Sequence, residues 1–126
     1  MSLRTPLAKV RGLGSAKEGT DHFWKQRITA VSNIVLVCFL IVLLAKYAGS
    51  DYATVKKALA RPHNAIALLL LVLSGVMHMR LGMQTIIEDY VHSEGRKVAA
   101  LMLNTFFALL VGVTCTFAVL KLSFGA

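Results

Sequence analysis

The chain has 126 residues, which is enough for one small domain. Hydrophobic residues make up 56% of it and charged residues only 16%, whereas a typical soluble domain carries about 25% charged residues. This balance argues against an intrinsically disordered chain, a coiled coil and a disulfide-stapled secreted scaffold. The composition indicates a membrane protein.

Residues 1–27 form a basic arm, and further basic residues follow the first apolar segment. The net charge is +8. The basic residues on the two sides of that segment are Arg4, Lys9, Arg11, Lys17, Lys25, Arg27, Lys46, Lys56, Lys57 and Arg61. In such positions they anchor the chain to anionic lipid head groups. Since no segment remains to build a basic face on a folded domain, the expected partner is the lipid bilayer and not a nucleic acid.

The arm does not read as a secretory signal, because no apolar core with a small-residue cleavage site follows its basic stretch. Residues 1–17 lack acidic side chains and contain Arg and Ser, as mitochondrial presequences do. A presequence is removed on import, and this chain still begins at Met1. We therefore expect the bacterial inner membrane rather than the mitochondrial one.

Three apolar segments predict an all-α membrane anchor over residues 28–126. The predicted spans cover about residues 28–47, 62–91 and 98–121. At about 1.5 Å rise per residue, each is long enough to cross a hydrocarbon layer of about 30 Å. Because three spans make a thin bundle, we expect them to pack with helices of a partner.

Local signals mark the helix boundaries and the packing points. Ser50 or Asp51 is positioned to cap a short amphipathic helix that ends at Leu59. Pro62 suits the first turn of the second span, where its missing N–H needs no partner. The candidate points of close helix approach are Gly75, Gly82 and Gly112.

The distribution of charge predicts a cytoplasmic N-terminus. Three spans place the two termini on opposite sides of the membrane. With the N-terminus inside, the six arm residues, Arg96 and Lys97 make eight basic residues inside, against five outside. The excess favours this orientation. The aromatic residues fit a belt at each interface, with Trp24 and Tyr90 on one side and Tyr47 and Tyr52 on the other.

The two cysteines do not suggest a metal or redox site. Cys38 and Cys115 each lie within a span, far apart in sequence. Two unclustered cysteines cannot hold an iron–sulfur cluster, and neither belongs to a C-x-x-C pair. Small apolar filling is their expected role.

His78 is the main candidate site residue, because an ionisable group at membrane depth is costly unless it is partnered. Small residues flank it on the same helical face at Ser74, Gly75 and Gly82. That clearance suits a flat macrocycle, and imidazole is a common axial ligand of haem iron. The alternative is a neutral histidine hydrogen-bonded to a neighbouring helix, with the glycines serving helix packing. One histidine supplies only half of a bis-histidine site.

Asp89 and Tyr90 form a second candidate group at the inner end of the same helix. Asp89 lies eleven residues after His78, so both project from one face about 16 Å apart along the axis. A carboxylate and a phenol at this boundary suit a quinone, because its tail requires lipid and its carbonyls require donors. Alternatively, the two residues cap and anchor the helix end.

Polar residues before the first span lie at the same inner level. They are His22, Gln26 and Arg27. Arg27 either extends to lipid phosphates or pairs with a carboxylate such as a haem propionate.

The segment His78-Met-Arg-Leu-Gly-Met-Gln-Thr-Ile-Ile-Glu-Asp89-Tyr90-Val resembles the H-x-x-x-G-M-x-x-x-x-x-D-Y-V signature of a known family. This family comprises the small hydrophobic membrane anchor subunits, of the cytochrome b556 type, of succinate dehydrogenase (complex II). The segment that starts at Gly19 and runs through Arg27 is similar to the family's approach to its first helix. Arg80 departs from the pattern, in which an apolar or aromatic residue stands there.

The resemblance implies an anchor that pairs with a second anchor subunit, a cytochrome b, and docks a flavoprotein and an iron–sulfur subunit. Haem b would lie between the two anchors, with His78 as one axial ligand of its iron. Tyr90 would hydrogen-bond a ubiquinone carbonyl, and Asp89 would shape that pocket or its proton supply. Arg27 and His22 would approach the haem propionates or the quinone site. The chain has no flavin or cluster motif, so catalysis would belong to the complex.

Two alternatives differ in function class. One is the anchor of fumarate reductase or another small b-type cytochrome. The other is a small proton-relay membrane protein in which His78 and Asp89 carry the proton.

Overall fold

A computed structural model describes residues 5–12 and 18–125, and the described part consists of helices joined by short turns. In chain order these are α1 (Pro6–Val10), α2 (Glu18–Tyr47), α3 (Tyr52–Leu59), α4 (Pro62–Tyr90) and α5 (Glu94–Ser123). The predicted all-α class is confirmed. The basic arm is only partly covered by this description, since its residues 1–4 and 13–17 lie outside the described ranges.

Three of these helices are long and apolar enough to cross a membrane, as predicted. The candidate spans are Thr20–Tyr47, Pro62–Tyr90 and Glu94–Ser123. Two of them begin before the uncharged runs seen in the sequence, since α2 already includes Lys25 and Arg27, and α5 starts at Glu94. Long basic side chains can extend from such helical turns to the head groups, so the helix need not end where the charge begins.

Helix α4 is continuous across Arg80, as the sequence predicts. It begins with Pro62 in the first turn and ends at Tyr90. Its end is closed by the backbone N–H of Val91, which donates to the carbonyl of Ile87 at 3.0 Å. One unbroken helix therefore carries both candidate groups, and it fixes their separation along its axis.

The short helix α3 is held at both ends by side-chain hydrogen bonds. Asp51 is its N-cap, and its carboxylate accepts from the backbone N–H of Thr54 at 3.2 Å and from the Thr54 hydroxyl. These bonds lower the pKa of the Asp51 carboxyl below its ordinary value. At the other end, the amide of Asn64 donates to the carbonyl of Ala58 at 2.7 Å. The predicted capped helix is confirmed, and it is tied to the start of α4.

Helix α4 is the centre of the bundle, with α2 and α5 packed on different faces of it. The α4–α5 contact is made through small residues. A Cβ atom added at Gly112 would lie 3.5 Å from a methyl carbon of Val76, and Ala108 is almost fully buried beside this contact. The amide of Asn104 donates to the backbone carbonyl of Arg80 at 2.9 Å. Shape and polar contacts thus join these helices, as expected where lipid tails provide no hydrophobic driving force.

Most large apolar side chains of the long helices remain exposed on the bundle surface. The buried apolar residues are few, namely Leu43, Ala58, Ala65, Ile87 and Ala108. Exposed apolar surface of this extent suits contact with lipid tails and with helices of other chains.

We predict that Gly112→Leu destabilises the α4–α5 contact by about 1–3 kcal/mol, because a branched side chain overpacks against Val76. Unfolding in mixed detergent micelles measures this change as a lower denaturing detergent fraction at the midpoint. Gly112→Ala is the matched control, since its single methyl group makes an ordinary contact at 3.5 Å. Gly95→Leu is a second control, because nothing lies within 4 Å of a Cβ atom there. Equal midpoints for all three variants would contradict the packing described.

Candidate functional site on the central helix

His78 is half-buried and faces α2. Its Nδ1 atom lies 3.1 Å from the hydroxyl oxygen of Thr29. One turn earlier on α4, the hydroxyl of Ser74 donates to the backbone carbonyl of the same threonine at 3.3 Å. The imidazole is therefore held at the α2–α4 contact by a specific polar partner, and the two helices are bonded at two adjacent turns.

A row of polar residues on α2 faces this contact. His22, Gln26, Thr29 and Asn33 follow one another at four-, three- and four-residue steps, which places them on one side of a helix. Atoms of three of them, His22 Nε2, Gln26 Oε1 and Asn33 Oδ1, are buried without a hydrogen-bond partner in the described structure. Buried polar atoms are usually satisfied, so this row is a candidate surface for a polar ligand.

Of this row, the sequence predicts His22 as a site residue and shows Gln26 only as a polar neighbour before the first span, whereas Thr29 and Asn33 were missed. The spacing of the four residues was the available signal, because a repeat of four and three steps marks one helical face. Apolar residues stand between the four polar ones in the sequence, so the segment reads as the apolar start of a span and not as a helix with one polar face.

The glycines beside His78 leave space around the imidazole. A Cβ atom added at Gly75 would meet nothing within 4 Å, and one at Gly82 would meet only the Gln26 side chain, at 3.6 Å. Within the described residues, Gly75 thus does not serve as a packing point, whereas Gly82 allows α2 and α4 to approach. The open space at Gly75 suits the close approach of a flat ring system or a partner helix.

Asp89 and Tyr90 are both exposed at the end of α4, and 77% of the tyrosine surface is accessible. Neither side chain makes a hydrogen bond or ion pair with another residue in the described part of the chain. The helix end is closed instead by the backbone of Val91. A carboxylate near a helix C-terminus also opposes the helix dipole, so Asp89 does not stabilise this end. Neither side chain therefore caps this helix end in the described part of the chain, while an exposed Tyr90 suits an interfacial anchor as well as a ligand contact.

The structure does not bring Arg27 to His78. The Arg27 guanidinium lies over the ring of Phe23, 3.6 Å from its centroid, and Phe23 contacts Trp24 edge-on at 5.8 Å. Arg27 follows Gln26 directly, so it projects about 100° away from the row that faces α4. This cation–π stack places the charge at an exposed site beside the expected aromatic belt.

Arg80 projects from a different side of α4 than His78, because two residues correspond to a rotation of about 200°. It lines an open groove of about 470 Å³ between α4 and α2, together with Asp21, His22, Lys25 and Gln84. Asp21 and Lys25 are paired with each other. His78 does not line this groove, so Arg80 shares it with His22 but not with the imidazole of His78.

Among the described residues, no three His, Cys, Asp or Glu side chains come together to hold a metal ion. Cys38 is exposed and Cys115 is half-buried, and both are free thiols. His78 is accordingly a candidate for a single ligand rather than a member of a metal cage.

Known proteins resemble this chain over nearly its whole length. Residues 1–113 match the family described as succinate dehydrogenase/fumarate reductase transmembrane subunit. The succinate dehydrogenase hydrophobic membrane anchor subunit of Paracoccus denitrificans is 31% identical over 97% of this chain and 94% of its own. The corresponding subunit of Rickettsia bellii is 33% identical over 92% and 93% of the two chains.

A third relative is the succinate dehydrogenase membrane anchor subunit of Reclinomonas americana, which is 33% identical over 74% of this chain and 80% of its own. No solved structure matches the chain significantly. The family match and the identities agree with the resemblance carried by the segment from His78 to Val91. The chain belongs to the succinate dehydrogenase/fumarate reductase transmembrane subunit family.

Proposed function

We propose that this chain is a hydrophobic anchor subunit of a succinate:quinone oxidoreductase, and that it helps to bind haem b and ubiquinone. The observation that carries the proposal is the continuity of α4, which presents His78 beside open surface and Asp89 with Tyr90 at its end. The relatives named above are succinate dehydrogenase subunits, so we favour this enzyme over fumarate reductase.

The residues around His78 fit a haem group. The imidazole is oriented by Thr29, and the surface at Gly75 is open enough for a flat ring. Haem would supply one-electron transfer within the membrane. This chain would provide one axial nitrogen, and a second anchor subunit would provide the other. The unsatisfied Nε2 atom of His22 supports a role toward a propionate, whereas Arg27 would require its guanidinium edge to extend from the Phe23 stack.

The exposed end of α4 fits a quinone head group. The phenol of Tyr90 donates one hydrogen bond and the carboxylate of Asp89 accepts one or moves a proton. Neither is engaged within the described part of the chain, so both are free to contact a ligand. Apolar residues close by on the long helices would hold a lipid-like tail.

The partners follow from this role. The chain would pack with a second anchor subunit, a cytochrome b, and dock an iron–sulfur subunit and a flavoprotein on the cytoplasmic side. The basic N-terminal segment, together with Arg96 and Lys97 after the end of α4, supports a cytoplasmic N-terminus and docking on that side. The complex would reside in a bacterial inner membrane.

We predict that His78→Ala abolishes or strongly alters the b-type absorption of the purified complex, because an axial ligand of the iron is lost. A reduced-minus-oxidised spectrum with a subunit analysis measures this. His63→Ala is the matched control, since His63 is exposed near the other end of α4. An unchanged spectrum in His78→Ala would count against haem ligation.

We predict that Tyr90→Phe lowers quinone reductase activity by about two- to tenfold, which corresponds to the loss of one hydrogen bond of about 0.5–1.5 kcal/mol. The rate of succinate oxidation with an artificial dye as electron acceptor should be unchanged, because the dye takes the electrons before they reach the membrane subunits. Tyr52→Phe, which lies at the opposite interface, should leave both activities unchanged. A parallel loss of both activities in Tyr90→Phe would point to an assembly defect instead.

We predict that Gly75→Leu prevents assembly with the second anchor subunit while α2, α4 and α5 still pack together. The reason is that a Cβ atom at Gly75 has no neighbour within 4 Å in the described part of the chain, so the leucine would occupy the surface beside His78. Co-purification of the other subunits measures assembly, and helical circular dichroism measures folding. Normal assembly with full haem content would show that this surface is not the subunit contact.

A further inference from the structure

Thr29 contacts three hydrogen-bonding atoms at once. Its hydroxyl oxygen lies 2.7 Å from the backbone carbonyl of Lys25, 3.1 Å from that of Gln26 and 3.1 Å from Nδ1 of His78. The threonine itself is buried, with 7% of its surface accessible. Because the hydroxyl has a single hydrogen, these three contacts determine whether Nδ1 of His78 carries a hydrogen of its own.

The hydroxyl has one hydrogen to donate and two lone pairs to accept. Two oxygen atoms 2.7 Å apart require a hydrogen between them, and a carbonyl can only accept, so the Thr29 hydrogen points to Lys25. Nδ1 of His78 must then carry its own hydrogen and donate it to Thr29. In a neutral imidazole this leaves the lone pair on Nε2.

The acceptor is held in a fixed position. Threonine in a helix is restricted at χ1, and its hydroxyl is bonded back to the preceding turn. The backbone carbonyl of Thr29 also accepts from Ser74, which lies one turn before His78 on α4. A rotation of the imidazole would therefore break a hydrogen bond in a buried site, where an unsatisfied group is costly.

We propose that Thr29 is a positioning residue, which fixes the tautomer and the orientation of His78 so that Nε2 is the atom available to bind iron. The proposal rests on the proposed haem function of His78. Hydrogen bonding at the second ring nitrogen is how proteins orient a metal-binding histidine and increase its basicity. A more basic ligand favours the oxidised metal, so Thr29 also lowers the reduction potential of the group at Nε2.

Three variants of the purified complex separate this role from helix packing. Thr29→Val keeps the shape of the side chain and removes the acceptor, and Thr29→Ser keeps the acceptor. Thr105→Val is the matched control, because Thr105 also bonds back to its own helix, at 3.0 Å from the carbonyl of Leu101, without contacting a histidine.

The first measurement is the tautomer of His78, read by ¹⁵N NMR of histidine-labelled complex depleted of haem, with the signal assigned by its loss in His78→Gln. The parent, Thr29→Ser and Thr105→Val should show Nδ1 protonated, and Thr29→Val should lose this preference. If Nδ1 lacks a proton in the parent, or if Thr29→Val leaves the tautomer unchanged, the proposal is wrong.

The second measurement is a redox titration of the haem-loaded complex. Thr29→Val should raise the midpoint potential of the haem by up to about 59 mV, which is a tenfold change in the equilibrium constant of one-electron reduction. Thr29→Ser and Thr105→Val should match the parent. Equal potentials in all four proteins overturn the effect on iron. A fixed tautomer in a complex that never binds haem would instead refute the proposed function and leave Thr29 as the residue that orients His78.

Discussion

The structure depends on the polar contact between α2 and α4. Lipid tails are as apolar as the side chains of a membrane helix, so apolar burial does not select which faces of two helices meet. The bonds from His78 and Ser74 to Thr29 do select them. Turning α4 by one residue would rotate it by about 100°, expose the imidazole and replace it with a methionine at this contact. Helix register and the orientation of the His78 imidazole are thus fixed by the same atoms.

The fold could be predicted because its causes are local or depend on length. The three spans follow from apolar segments whose length matches the thickness of the bilayer. The N-terminal starts of α3 and α4 follow from Asp51 and Pro62. The pairing of helices could not be predicted in the same way. Helices that are apolar on most sides carry little periodic signal, so the sequence does not say which face meets which neighbour.

For the candidate site too, the sequence predicts how far along a helix each residue lies, but not which way its side chain points around the helix axis. Depth along α4 placed His78 and the pair Asp89–Tyr90 on one continuous helix. Direction around the axis decided the rest, since Arg27 stacks on Phe23 and Arg80 lines a groove that His78 does not line. Thr29 was missed because a single hydroxyl in a helix usually bonds to its own backbone, and only the packed structure gives it a second partner.

The end of α4 carries a cost that packing does not explain. Asp89 lies where the helix dipole disfavours a negative charge, and no basic side chain in the described part of the chain pairs with it. The ammonium group of Lys97 donates instead to the backbone carbonyl of Glu88 at 3.2 Å. A neutral residue would make this helix more stable on its own. The described part of the chain thus gives the Asp89 carboxylate no stabilising partner, and this lack supports the proposal of a quinone beside it.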